Sequence, residues 1–103
     1  MALKLHEIEI SQVAFSRFCE RNAIRKLSFF GSILRDDFRP DSDVDVLVEF
    51  ERGHTPGLIT LAGMEIELSG ILGRKVDMRT AEDLSRYFRD DVVNSALVQY
   101  ERK

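Results

Sequence analysis

Residues Asp43 to Phe50 read DVDVLVEF. Valines at positions 44, 46 and 48 dictate a strand with one apolar face, because strand side chains project to opposite sides with a period of two. The same alternation throws Asp43 and Asp45 onto the other face, with Leu47 one step further along. An unpaired carboxylate is costly to desolvate, so these acids must sit at the rim of a sheet, where they are exposed, paired or holding a cation. The chain therefore needs a sheet with a packed core on one side and open access on the other, at the start of this strand.

The flanking segments supply such a core. Ile10, Val13, Ala14 and Phe18 recur at helical spacing and predict an amphipathic helix from about Ile8 to Arg21. Lys26 to Phe30 (KLSFF) reads as a short strand running into Gly31-Ser32, followed by a helical turn from Ile33 to Asp37 and a loop at Arg39-Pro-Asp-Ser42. After Pro56-Gly57, the set Leu58, Leu61, Ala62, Ile66, Leu68, Ile71 and Leu72 predicts a mostly buried helix ending at Gly73. Lys75 to Arg79 is then a third strand, and Thr80 with Asp83 has the spacing of a helix N-cap. From Tyr87, the residues Phe88, Val92, Val93, Ala96, Leu97 and Tyr100 predict a terminal amphipathic helix. The expected architecture is one α/β (α+β) domain over residues 1–103, a small mixed sheet flanked by helices in the order α-β-α-β-α-β-α.

At 103 residues the chain can bury one modest core but has no room for a second, acceptor-binding lobe. Its formal charge of −3 argues against broad nucleic-acid binding, which leaves a basic footprint. The single cysteine, Cys19, excludes an internal disulfide and fits a reducing compartment. No signal pattern or membrane-length apolar run is visible, and a cytoplasmic location is expected.

The third strand repeats the logic of the second. Val76 and Met78 share one face and Asp77 takes the other, so Asp77 can join Asp43 and Asp45 if the two strands are neighbours. Three carboxylates without His or Cys select a hard cation, and Mg²⁺ binds a few acids together with substrate phosphates. The implied substrate is a nucleotide. Gly31 would let a phosphate approach the backbone, with the Ser32 hydroxyl as a further donor, and two metals suit an in-line displacement at phosphorus. Arg35, Arg39, Arg74 and Lys75 lie near these motifs and can serve phosphates, or simply be solvated or paired surface charges. The acids also admit plainer readings. Asp-x-Asp alone is a common solvated strand start, whereas a calcium loop beginning at Asp41 fails because position six is Val46 and position twelve is Arg52. His6 and His54 have no partner at ligand spacing.

Gly31-Ser32, ten residues, then Asp43-x-Asp45 resembles the signature of the DNA polymerase β-like nucleotidyltransferase superfamily, with Asp77 resembling its third carboxylate. Phe29-Phe-Gly-Ser32, Pro40-Asp-Ser-Asp-Val-Asp-Val-Leu-Val48 and Leu72-Gly-Arg-Lys-Val-Asp77 are similar to the minimal nucleotidyltransferase (MNT) domains. The resemblance implies a nucleotidyltransferase fold and the antitoxin of a HEPN/MNT toxin-antitoxin pair of the type VII kind. It further implies AMP transfer from ATP to a tyrosine of the HEPN toxin, itself typically a ribonuclease. Carried over by position, Asp43 and Asp45 would bind two Mg²⁺ ions and Asp77 would help activate the acceptor hydroxyl, while Gly31, Ser32 and Arg35 would serve the triphosphate. Neutralisation by binding alone, and nucleotidyl transfer to a small hydroxyl compound, are the alternatives.

Overall fold

The computed structural model describes residues 2–5, 8–34, 42–87 and 89–102. Strands β1 (Ala2–Leu5) and β2 (Ile8–Ser11) pair antiparallel as a separate two-stranded sheet. Helix α1 (Gln12–Arg21) starts at Ser11, whose side chain accepts a hydrogen bond from the Ala14 N–H at 3.4 Å. The helix thus begins four residues later than the periodicity suggests, because Ile8 to Ser11 alternates well enough to be taken as a strand. It ends at Asn22, whose side-chain amide donates to the Phe18 carbonyl at 2.8 Å.

The main sheet has four strands in the order β5-β4-β3-β6. Strands β3 (Ile24–Phe30) and β4 (Val44–Phe50) pair antiparallel, β4 and β5 (Val76–Arg79) pair parallel, and β6 (Leu97–Glu101) lies antiparallel to the free edge of β3. Helix α2 (Leu58–Leu72) makes the crossover between the parallel strands and stops at Gly73, in the left-handed region at φ 69°. Phe15, Phe18 and Cys19 of α1 and Met64, Leu68 and Leu72 of α2 pack on Leu27, Phe29, Val44, Val46, Val48, Val76 and Met78. The core therefore occupies one side of the sheet only. Burial pushes the Cys19 thiol up to about 12, with Glu20 adding to the effect, and makes it a packing residue.

Two expectations are corrected. The segment after Tyr87 is not one terminal helix: α3 covers only Arg89–Ser95, and the chain then extends as β6. Leu97, Val98 and Tyr100 fit either period, and the unpaired edge of β3 selects the strand. Helix α2 is not mostly buried, since Ile59 is 91% and Ile66 75% exposed. The stripe through Met64, Leu68 and Leu72 is buried against the sheet, and Ile59 and Ile66 on the far side are left outside. The mixed sheet flanked by helices stands as expected, with strands added at both ends of the predicted order.

The outer edge of β5 is closed by α2. Ser69 Oγ accepts the Val76 N–H at 3.0 Å and Glu65 Oε2 accepts the Met78 N–H at 2.6 Å. These two N–H groups flank Asp77 and would otherwise face an open sheet edge.

Candidate active site

Register assembles the acids. Asp45 pairs with Phe30 across β3 and with Asp77 across β5, so the two carboxylates stand side by side on the face away from the core. Asp43 lies one residue before β4 on that same side, and the Val44 N–H donates to the Lys75 carbonyl at 2.8 Å, tying the start of β4 to β5.

Beyond Phe30 the chain turns into a 3₁₀ segment, Gly31–Leu34. Gly31 has φ +75°, and a Cβ placed on it would lie 2.4 Å from Asp45 Oδ2. No L side chain fits there without displacing the carboxylate. Ser32 follows in the same segment. Arg35 lies outside the described residues.

Cations accompany the acids. Lys75 Nζ stands 4.0 Å from Asp43 Oδ2, and Arg79 Nη2 donates to Asp77 Oδ2 at 3.1 Å. The hydrogen bond to Asp77, followed by the charge of that carboxylate, pushes the Arg79 guanidinium above its usual range, with Asp83 and Asp45 contributing and burial opposing. Asp43 and Asp77 keep side-chain exposures of 47% and 35%, so both remain reachable from solvent.

The donors are oxygen only, which suits Mg²⁺, an ion that takes one or two carboxylates and completes its shell with water and substrate phosphates. Among the described residues no group of three or more His, Cys, Asp or Glu is placed to hold a metal ion, so the structure sets Asp45 beside Asp77 without gathering all three acids into one cluster.

Further along the same face lies a cleft of about 480 Å³, bounded by Ser28, Leu47, Thr80, Ala81, Val93 and Val98 among others. Its roof is the 3₁₀ turn Ala81–Asp83 together with α3. Thr80 caps that turn and not a long helix: the Asp83 carboxylate accepts its N–H at 3.3 Å and its hydroxyl at 3.1 Å. Arg89 ties the two parts of the roof, donating to the Leu84 carbonyl at 3.0 Å.

Sequence reasoning missed three residues that shape the site. Arg79 was legible as the second residue of the Asp77 face, two positions on. Glu65 and Ser69 were not, because their role depends on which strand lies at the edge of the sheet.

The fold is that of a nucleotidyltransferase. The nucleotidyltransferase domain family model matches residues 13–99, and the chain belongs to that family. Within it the chain is an enzyme of the minimal type. Protein adenylyltransferase MntA of Thermococcus cleftensis is 39% identical over 77 residues, covering 74% of this chain and 76% of that protein. A solved minimal nucleotidyltransferase is 35% identical with a TM-score of 0.68, covering 84% of this chain and 86% of the other. A toxin-antitoxin structure with AMP-PNP aligns with a TM-score of 0.72 over 91% of this chain and 76% of that one; at 18% identity the likeness is one of fold.

Proposed function

We propose that the protein transfers AMP from ATP to a hydroxyl of a partner HEPN-domain toxin, a tyrosine in the reading we favour, and so silences it. The observation that carries the chemistry is the placement of Asp45 against the bare Cα of Gly31 and in register with Asp77. The name of the Thermococcus relative supports a protein acceptor, and the toxin-antitoxin neighbour with its ATP analogue supports ATP and a toxin partner.

In this mechanism the acceptor oxygen bonds to the α-phosphorus as the bond from that phosphorus to the bridging oxygen of the β-phosphate breaks. Pyrophosphate leaves with the electron pair, and the hydroxyl proton passes to Asp77. Asp43 and Asp45 would hold Mg²⁺, with Asp77 contributing, and the metal would supply Lewis-acid neutralisation of the phosphate oxygens. Gly31 keeps the Asp45 side of the phosphate path clear, and Ser32 and Arg35 serve the triphosphate. Lys75 and Arg79 stand ready to balance phosphate charge when the acids are engaged. No helix among the described residues is long and apolar enough to cross a membrane.

The apolar outer stripe of α2 favours a second reading, neutralisation by binding alone, because such a face suits a protein partner. One experiment separates the two. The protein is incubated with ATP labelled on the α-phosphate, Mg²⁺ and the product of the adjacent reading frame, beside the Asp43→Asn/Asp45→Asn variant. Label on the partner with the unmodified protein only is the expected result. Binding without transfer by either form would replace catalysis with occlusion.

A further inference from the structure

Helix α2 holds two glycines that packing among the described residues does not call for. Gly63 and Gly70 lie inside the helix, where glycine is less favourable than alanine. A Cβ built on either meets nothing within 4 Å among the described residues. At about 100° per residue, Ile59, Gly63, Ile66 and Gly70 share a stripe about 60° wide, opposite the buried Met64, Leu68 and Leu72. In a chain with 32% charged residues this exposed stripe carries no charge. The two acids of the helix are turned aside, Glu65 accepting the Met78 N–H and Glu67 pairing with Arg21.

We infer that this face is covered by α2 of a second copy of the chain, laid antiparallel across it. About a two-fold axis, residue i of one protomer meets residue j of the other, and j meets i. With the axis midway between positions 64 and 65, Ile59 opposes the partner's Gly70 and Ile66 opposes the partner's Gly63. Each isoleucine then sits over a position with no side chain, and the glycines let the two backbones approach closely. A parallel pair would set isoleucine on isoleucine and leave the glycines facing each other across a gap, so the pattern selects the antiparallel one.

The size of the face sets the strength of the pairing. A helix of 15 residues is about 22 Å long and 10–12 Å wide, a face of about 250 Å² in projection. That is well short of the ~800 Å² per partner of a standard interface, so the dimer is weak and reversible. It also leaves the chemistry open. The core side of the sheet carries α2 and the other side carries the acids, so the two carboxylate faces of the dimer point outward.

Sedimentation equilibrium of the full chain, up to millimolar concentration, should show a monomer-dimer equilibrium. Ile66→Lys changes a position 75% exposed and should weaken it at least tenfold. Gly63→Ala/Gly70→Ala should raise the Tm of the dilute monomer, because alanine favours helix and the space is open, yet weaken the dimer severalfold by filling the isoleucine seats. Orientation is read by oxidation, with Cys19 buried and out of the way. Ile59→Cys and Gly70→Cys chains should cross-link when mixed and not when either is oxidised alone, since like positions stand about 16 Å apart along the antiparallel pair, beyond disulfide reach. A chain that stays monomeric at millimolar concentration would overturn the inference, as would cross-linking of Ile59→Cys alone or a tighter dimer in the double alanine variant. Ile66→Lys dimerising as before while losing the product of the adjacent reading frame would give the face to that partner instead.

Discussion

Gly31 shows how one residue joins backbone shape to chemistry. Its positive φ and its closeness to Asp45 are separate demands, and an added methyl group violates both. Gly31→Ala should cost about 1–2 kcal/mol in a urea melt for the left-handed conformation, and should lower transfer by about a hundredfold because a misplaced carboxylate disturbs alignment at phosphorus. An alanine variant with unchanged transfer would show that the Asp45 carboxylate does not work from this position. At this scale the sequence was informative: alternation assigned Asp43 and Asp45 to one side and left Asp77 to join them if its strand was a neighbour, and the register of β4 with β5 sets Asp77 beside Asp45. Spacing put Arg79 on the Asp77 face but could not reveal the ion pairs that Lys75 and Arg79 make with two of the acids, because pairing depends on the rotamers of long side chains and leaves no periodic signal.

Among elements, the contact between α2 and β5 decides how firmly Asp77 is held. Glu65 and Ser69 satisfy the two backbone donors on either side of it, so they act as positioning residues. Glu65→Ala leaves the Met78 N–H without its partner and should cost about 1–3 kcal/mol. The expected kinetic signature is a fall in kcat with little change in KM for ATP, and Glu65→Gln, which keeps an acceptor oxygen, should restore most of it. An equal loss in both variants would assign Glu65 a role through its charge. Strands β4 and β5 were legible from the alternation of Val44, Val46 and Val48 and of Val76 and Met78, and β3 from the apolar run that ends at Gly31-Ser32. The terminal segment and the hairpin were not, since Leu97 to Tyr100 and Ile8 to Ile10 satisfy helical and extended periods alike, and only tertiary pairing chooses between them.

For the whole molecule, a sheet with its core on one side and its chemistry on the other couples ligand binding to folding. ATP with Mg²⁺ at about a hundred times Kd should add about 2.7 kcal/mol to stability, which calorimetry would read as a rise in Tm of several degrees. Chelating the metal, or the Asp43→Asn/Asp45→Asn change, should abolish that rise, and an undiminished rise under chelation would show that nucleotide binding needs no metal. The order of the strands also governs when the molecule becomes an enzyme during its own synthesis. Gly31 and Asp45 meet as soon as β3 and β4 pair, whereas Asp77 must wait for the whole of α2 to emerge and fold back before β5 can dock. A chain cut short within α2 therefore holds Gly31 and Asp45 together but never acquires Asp77, and the three come together only when the crossover is complete.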